Sequence, residues 1–210
     1  ILKTLAVMSG DGSLFLHTKV TLYETLVSFL LVIGISFLTA TLLWLFPTVS
    51  EILEPWLVVL NSLPKSALAP LLIVWLGSGS CTIIVAGMSV AVFGSIISMY
   101  TAFRETDSEK SKLIHTLGGG KREALYYVIF PSSLPSVISI LKVNIGLCLV
   151  GVIIGEFLAA REGLGYLIIY ASQIFKLNYL ITALMVLCLI ALILYTVIQK
   201  FEHQIKRSRS

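Results

Sequence analysis

Five apolar runs separated by polar stretches organise this 210-residue chain. A helix needs about 20 mostly apolar residues to cross about 30 Å of hydrocarbon. The runs at 22–46, 55–76, 82–103, 134–157 and 179–199 meet or approach that length. The first closes on Pro47. The second carries Pro64, Lys65 and Pro70. Each of those prolines removes a backbone donor and disturbs the preceding turn. Carbonyls freed in this way inside a bilayer need protein or a wet cavity as partner. The pattern therefore predicts a span that is broken or kinked and packed within protein, either as a structural helix or as one that lines a pathway. Residues 1–21, with Asp11, Gly12, His17 and Lys19, predict an amphipathic or irregular external lead-in. Residues 158–178, with Gly163, Gly165 and Gln173, predict a segment lying along an interface.

The polar stretch 104–133 is the most informative interruption. Ser108 suits the N-cap of a short helix over 108–117, and Leu113, Leu117 and Ile114 share a face of it. Gly118, Gly119 and Gly120 end that helix. A second helix is predicted over 121–130, and Pro131 and Pro135 set the entry into the fourth span. The product is a short helix held roughly in the membrane plane, with an apolar face that needs a partner. The alternative for the glycines is a solvated turn without a contact role.

Composition supports an all-α, polytopic transmembrane bundle. The chain is 57% hydrophobic and 12% charged, against about 25% charged in a soluble domain. The net charge of +4 is modest, and the basic residues gather at 104–122 and 200–209. On a membrane protein such blocks mark the cytoplasmic side rather than a nucleic-acid site. With 104–133 and the C-terminus inside, Arg104, Lys110, Lys112, Lys121, Arg122, Lys200, Lys206, Arg207 and Arg209 are cytoplasmic. Lys3, Lys19, Arg161 and Lys176 are external. Five spans then place the N-terminus outside, and one further span ahead of Ile1 is expected. Cys81, Cys148 and Cys188 have no metal-ligand spacing and read as small hydrophobes. His17, His115 and His203 are scattered, so no metal centre is expected. Gly118–Gly120 followed by Lys121 fails the spacing of a phosphate loop. No cofactor is expected.

Several residues inside or beside the spans could carry function. Glu156, at the outer end of the fourth span, either lines a pathway mouth or faces water. Lys142 fits snorkelling to the interface, and Asn144 with Gly146 fits close helix packing. Lys65 can pair with an acid such as Glu54, contact an anionic solute, or snorkel. Pro64, Lys65, Pro70, Asn144 and Glu156 are the pathway candidates.

The loop resembles that of the inner-membrane permeases of binding-protein-dependent ABC importers, which is written EAA, three residues, Gly, nine residues, I-x-L-P. Here nine residues follow Gly118 before Val128, Ile129, Phe130 and Pro131. Thr116-Leu117-Gly118 and Leu134-Pro135 resemble the nitrate/sulfonate/taurine branch. So do Leu63-Pro64, Ala67, Pro70-Leu71, Trp75 and Gly77-x-Gly79, and Glu156 followed by Gly163-Leu164-Gly165-Tyr166. The resemblance covers roughly residues 20–200. It implies a non-catalytic permease of type I importer fold in a bacterial inner membrane, with the first of the usual six spans missing. It further implies two copies forming the pathway, two ATPase subunits beneath, and an extracytoplasmic solute-binding protein. The solute would be nitrate-, sulfonate- or taurine-like, or a thiamine-precursor or flavin type. Lys112, Leu113, Ile114, His115, Thr116, Leu117 and Gly118–Gly120, with Pro131 and Pro135, would couple to the ATPase. Lys112, Leu113 and Ile114 stand where the family has Glu-Ala-Ala, so an expected acidic contact is reversed or absent, and three glycines predict a looser turn than usual. An intramembrane enzyme and a passive channel or scaffold subunit are the alternatives from other classes. Neither the paired acid–base groups nor the metal spacing of an enzyme is present.

Overall fold

The computed structural model describes residues 2–106, 114, 116 and 118–207. Among these the chain is all-helical: α1 (Leu2–Gly10), α2 (Ser13–Leu45), α3 (Pro47–Ser62), α4 (Lys65–Leu76), α5 (Ser80–Arg104), α6 (Lys121–Ala159), α7 (Leu164–Gln173) and α8 (Leu177–Arg207). α2, α5, α6 and α8 are long and apolar enough to cross a membrane, and α3 with α4, bent by 94° at a short break, forms either a fifth, broken span or a re-entrant loop. The expected bundle of about five spans is borne out.

The boundaries differ from expectation in three places. Residues 13–20 are not lead-in but the first turns of α2. The chain turns at Gly12 (φ 73°), and the Asp11 carboxylate accepts from the Ser13 amide at 3.0 Å. That bond holds the Asp11 carboxyl below its ordinary range. In the second run only Pro64 breaks the helix. Leu63 before it is extended (φ −63°, ψ 139°) and Pro64 itself precedes the first turn of α4, as the steric demand of proline on its predecessor requires. Pro70 is carried inside α4, with the small Ala69 before it buried. The third difference is at the fourth span, where no joint separates 121–130 from the rest. One π-turn, Leu125–Ile129, widens the helix so that Phe130 N–H donates to Leu125 O. The wider turn lies against Pro131, where the ring would otherwise crowd the carbonyl four residues back. Pro135 sits inside the same helix.

The contacts divide the chain into two compact units. The first takes in residues 2–31, 64–91 and 144–197. Its helices approach closely at glycines: a Cβ on Gly151 would lie 2.8 Å from Gly87 Cα and 2.9 Å from Ala86 O, and one on Gly155 3.1 Å from Ile83 Cα. Small residues permit such contacts between spans. Gly146, paired with Asn144 in the packing expectation, has nothing within 4 Å of that position. The packing glycines are the ones a turn or two further on. Met8 of α1 packs with Leu167, Ile168 and Ala183.

The second unit takes in the described residues of 32–63, 92–143 and 198–210. Its core joins Leu43, Met99, Phe103, Leu125 and Ile129. Phe37, Phe103 and Phe130 meet there with ring centroids 5.0–6.0 Å apart, within the range of favourable aromatic pairs. Lys142 does not snorkel. Its ammonium pairs with the Glu202 carboxylate of α8, and both side chains are largely buried. Glu54, offered above as an acid for Lys65, lies 3.8 Å from Arg104 Nη1.

Candidate functional site

The first unit holds a polar knot in an otherwise apolar interior. An α-helix begins with backbone N–H groups that have no partner within it, and α7 begins inside the protein. Three side chains meet those amides. Gly163 N–H donates to His17 Nδ1 at 3.0 Å, Leu164 N–H to Thr21 Oγ1 at 2.8 Å, and Gly165 N–H to Glu156 Oε2 at 2.5 Å. Thr21 Oγ1 in turn donates to Glu156 Oε1 at 2.6 Å. Because His17 Nδ1 accepts, the neutral ring carries its proton on Nε2. The Glu156 carboxyl, 0% exposed, thus sits at the positive end of the α7 dipole, where negative charge is favoured.

The same carboxyl explains the glycines around it. Gly163 has φ 112°, and a Cβ there would collide with the Glu156 carboxyl. A Cβ on Gly165 would lie 2.8 Å from Glu156 Cβ. The Gly-Leu-Gly triplet is therefore the backbone half of a socket whose other half is one glutamate.

Beside the knot lies a second acid, Glu24 of α2, also 0% exposed. Ser80 and Glu156 are its hydrogen-bonding neighbours, and both of its carboxyl oxygens are fully enclosed. Glu24 forms part of the wall of a cavity of about 450 Å³, with Ser78, Ser80, Ile83, Arg161 and Glu162.

The second unit holds the polar turn. Ile114 and Thr116 are helical. Gly118 has φ 86°, and Gly119 N–H donates back to Ile114 O at 2.9 Å, the six-to-one bond of a Schellman C-cap. A Cβ on Gly119 would lie 2.6 Å from Ile114 Cγ2. Gly120 N–H then donates to Glu123 Oε2 at 2.9 Å as α6 begins. Gly118 supplies the left-handed backbone of the cap, and Gly119 and Gly120 are each held by a hydrogen bond from their amides.

Comparison with known proteins places this architecture. The family model of the binding-protein-dependent transport system inner membrane component matches residues 32–207. The chain belongs to this permease family. It is 32% identical over 191 residues to a probable ABC transporter permease protein of Haemophilus influenzae, covering 91% of this chain and 78% of that one. It is 27% identical over 194 residues to the formylaminopyrimidine transport permease protein ThiX of Halalkalibacterium halodurans, covering 92% and 78%. Its fold matches the permease chain in inward-facing structures of the MetNI methionine ABC transporter with a TM-score of 0.75 at 18% identity, over 92% of this chain and 94% of that one. The permease is accordingly a multi-pass membrane protein, the non-catalytic component of an ABC importer that works with ATPase subunits and a binding protein.

Of the permease residues expected to couple, Lys112, Leu113, His115 and Leu117 lie outside the described residues, as does Ser108, the expected N-cap. Ile114, Thr116 and Gly118–Gly120 come together in the turn, and Pro131 and Pro135 are exposed on α6. Of the pathway candidates, Pro64 and Lys65 flank the break, Pro70 is exposed on α4, and Asn144 and Glu156 are buried on α6. Sequence reasoning passes over Thr21 and Glu24. A signal for them exists: His17, Thr21, Glu24 and Ser28 recur at helical spacing along one face, and Glu24 is an acid within an apolar run, which is expensive unless used.

Proposed function

We propose that this permease receives force from its ATPase through the 104–133 segment and moves a small solute handed over by an extracytoplasmic binding protein. The supporting observation is mechanical. The capped turn at Gly118–Gly120 leads within one residue into α6, a helix that continues without a break to Ala159. At 1.5 Å per residue its 39 residues extend about 58 Å. A displacement delivered at the turn enters α6 directly, because only the helix start at Lys121 follows the cap. Two copies of the chain and two ATPases make the working assembly, with 104–133 and the C-terminus cytoplasmic. Leu113 and Leu117 supply apolar docking, and burial of one leucine is worth about 1.5–3 kcal/mol. The solute falls among nitrate-, sulfonate- or taurine-like molecules and the thiamine-precursor or flavin type, the aminopyrimidine named for ThiX included.

The test is a reconstituted complex carrying Gly118→Val or Leu117→Asp. The first opposes the left-handed backbone at the cap, and the second puts charge on the docking face. Either change should abolish solute uptake and the stimulation of ATP hydrolysis by loaded binding protein, while the chain still inserts into the membrane. Wild-type stimulation in both variants would end the coupling role of this segment.

A further inference from the structure

Ionisable groups inside apolar helices are expensive and are kept where they serve a purpose. Lys142 of α6 and Glu202 of α8 are such a pair, with side chains 18% and 10% exposed. Little else holds α8 at that end. Leu189, Leu192, Ile193, Tyr195 and Val197 are exposed, and among the described side chains of α8 beyond Ile190 only Glu202 is buried. The apolar core of the second unit draws on α2, α3, α5 and α6, and no described residue of α8 joins it. That core grips α6 at Leu125, Ile129, Val137, Ile140 and Leu141, and Lys142 is the next residue. The ion pair therefore joins a helix that the core fixes to one that it does not. Apolar contact is non-directional, whereas a charge-assisted hydrogen bond sets both distance and orientation.

We propose that Lys142 and Glu202 are positioning residues of the transport cycle. The pair is a strut that holds the C-terminal end of α8 in register with α6, so that a displacement entering α6 at the Gly118–Gly120 turn moves the last span as well. The inference rests on the coupling role of that turn and adds a second helix to it. Turn, apolar core and strut all belong to the second unit. A helical side chain leans toward the start of its own helix, so Lys142 reaches toward the end of α6 that carries the turn. A buried ion pair is weak evidence for stability, because an apolar pair of similar volume often serves a fold as well. What it contributes is one arrangement in place of several. Without it, a helix as exposed as the end of α8 turns or slides against α6 at little cost.

The test uses the complex of the permease with its ATPase, with Cys81 and Cys188 changed to serine. A nitroxide is placed at Arg122→Cys on α6 or, in a second sample, at Lys200→Cys on α8, both exposed positions. Electron double resonance then reads the distance between the two copies of the label, without nucleotide and with MgATP and vanadate. In the otherwise wild-type complex both distances should shift with nucleotide. Lys142→Met or Glu202→Gln should keep the shift at Arg122→Cys and lose the one at Lys200→Cys, and the swap Lys142→Glu with Glu202→Lys should regain it. A single change leaves a buried charge unpaired and invites misfolding, so the deciding variant is Lys142→Met with Glu202→Leu, which leaves none. It should melt near wild type and still lose the shift at Lys200→Cys. If that double variant keeps the shift, or if it melts far below wild type and so shows that the pair serves the fold, the strut is overturned. No shift at Arg122→Cys in the starting complex counts against the coupling role of the turn. A shift there with none at Lys200→Cys sinks this inference alone.

Discussion

A single side chain, Glu156, organises more of this protein than any other. It takes an amide from the start of α7 and a hydroxyl from α2, and it occupies the space that side chains at Gly163 and Gly165 would need. Two substitutions separate these contributions. Gly163→Ala forces a strained backbone, at about 1–3 kcal/mol, and drives a methyl group into the Glu156 carboxyl. It should lower the melting temperature of the purified complex by several degrees. Thr21→Val keeps the shape but strips the relay between Leu164 N–H and Glu156. Leaving that buried amide without an acceptor costs about 1–3 kcal/mol, with a similar shift in melting. A Thr21→Val protein that melts with the wild type would mean the relay does not hold α7 in place. The sequence shows the glutamate and the glycines as a pattern with no visible reason. The reason is spatial, because a carboxyl seven residues upstream of Gly163 fills the room that the glycines leave.

At the scale of elements, what was legible was length and polarity, and what was hidden was where polar residues turn inward. The apolar runs of α5, α6 and α8 announce themselves because lipid demands about 20 apolar residues whatever the packing. The start of α2 does not. His17 and Thr21 look like solvent-facing residues in sequence, yet they are the partners of the α7 amides. Lys142 likewise suggests a snorkelling base until Glu202, sixty residues away, is seen to meet it. Proline was legible in kind but not in place: Pro64 breaks a helix, while Pro70, Pro131 and Pro135 are taken inside helices. Glycine offers the cleanest test at this scale. Gly151 and Gly146 lie on the same helix five residues apart, the first against α5 and the second in open space. Gly151→Leu should separate α5 from α6 and cut the folded yield, measured by size exclusion in mild detergent, several-fold. Gly146→Leu should leave that yield near wild type. Equal losses from both would show that side-chain bulk against α5 is not what matters.

At the scale of the whole molecule the open question is direction, and it carries both proposals. The basic residues favour 104–133 inside by nine to four, counting the positions named above. Arg122 stands in the first turn of α6 and Arg161 just beyond its end. A helix of 39 residues is long enough to cross the hydrocarbon, so the proposed orientation puts Arg122 on the inner face and Arg161 on the outer. One labelling experiment addresses the turn and the strut together, since both belong to the second unit. With Cys81 and Cys188, the exposed native thiols, changed to serine, Arg161→Cys should react with a membrane-impermeant maleimide on intact cells. Arg122→Cys should react only once the membrane is opened, and buried Cys148 should stay silent in both. That result puts the turn on the side where ATP is hydrolysed. The reverse result would leave the turn with no motor to meet and the strut with no displacement to pass on, and it would remove the physical basis of both proposals at once.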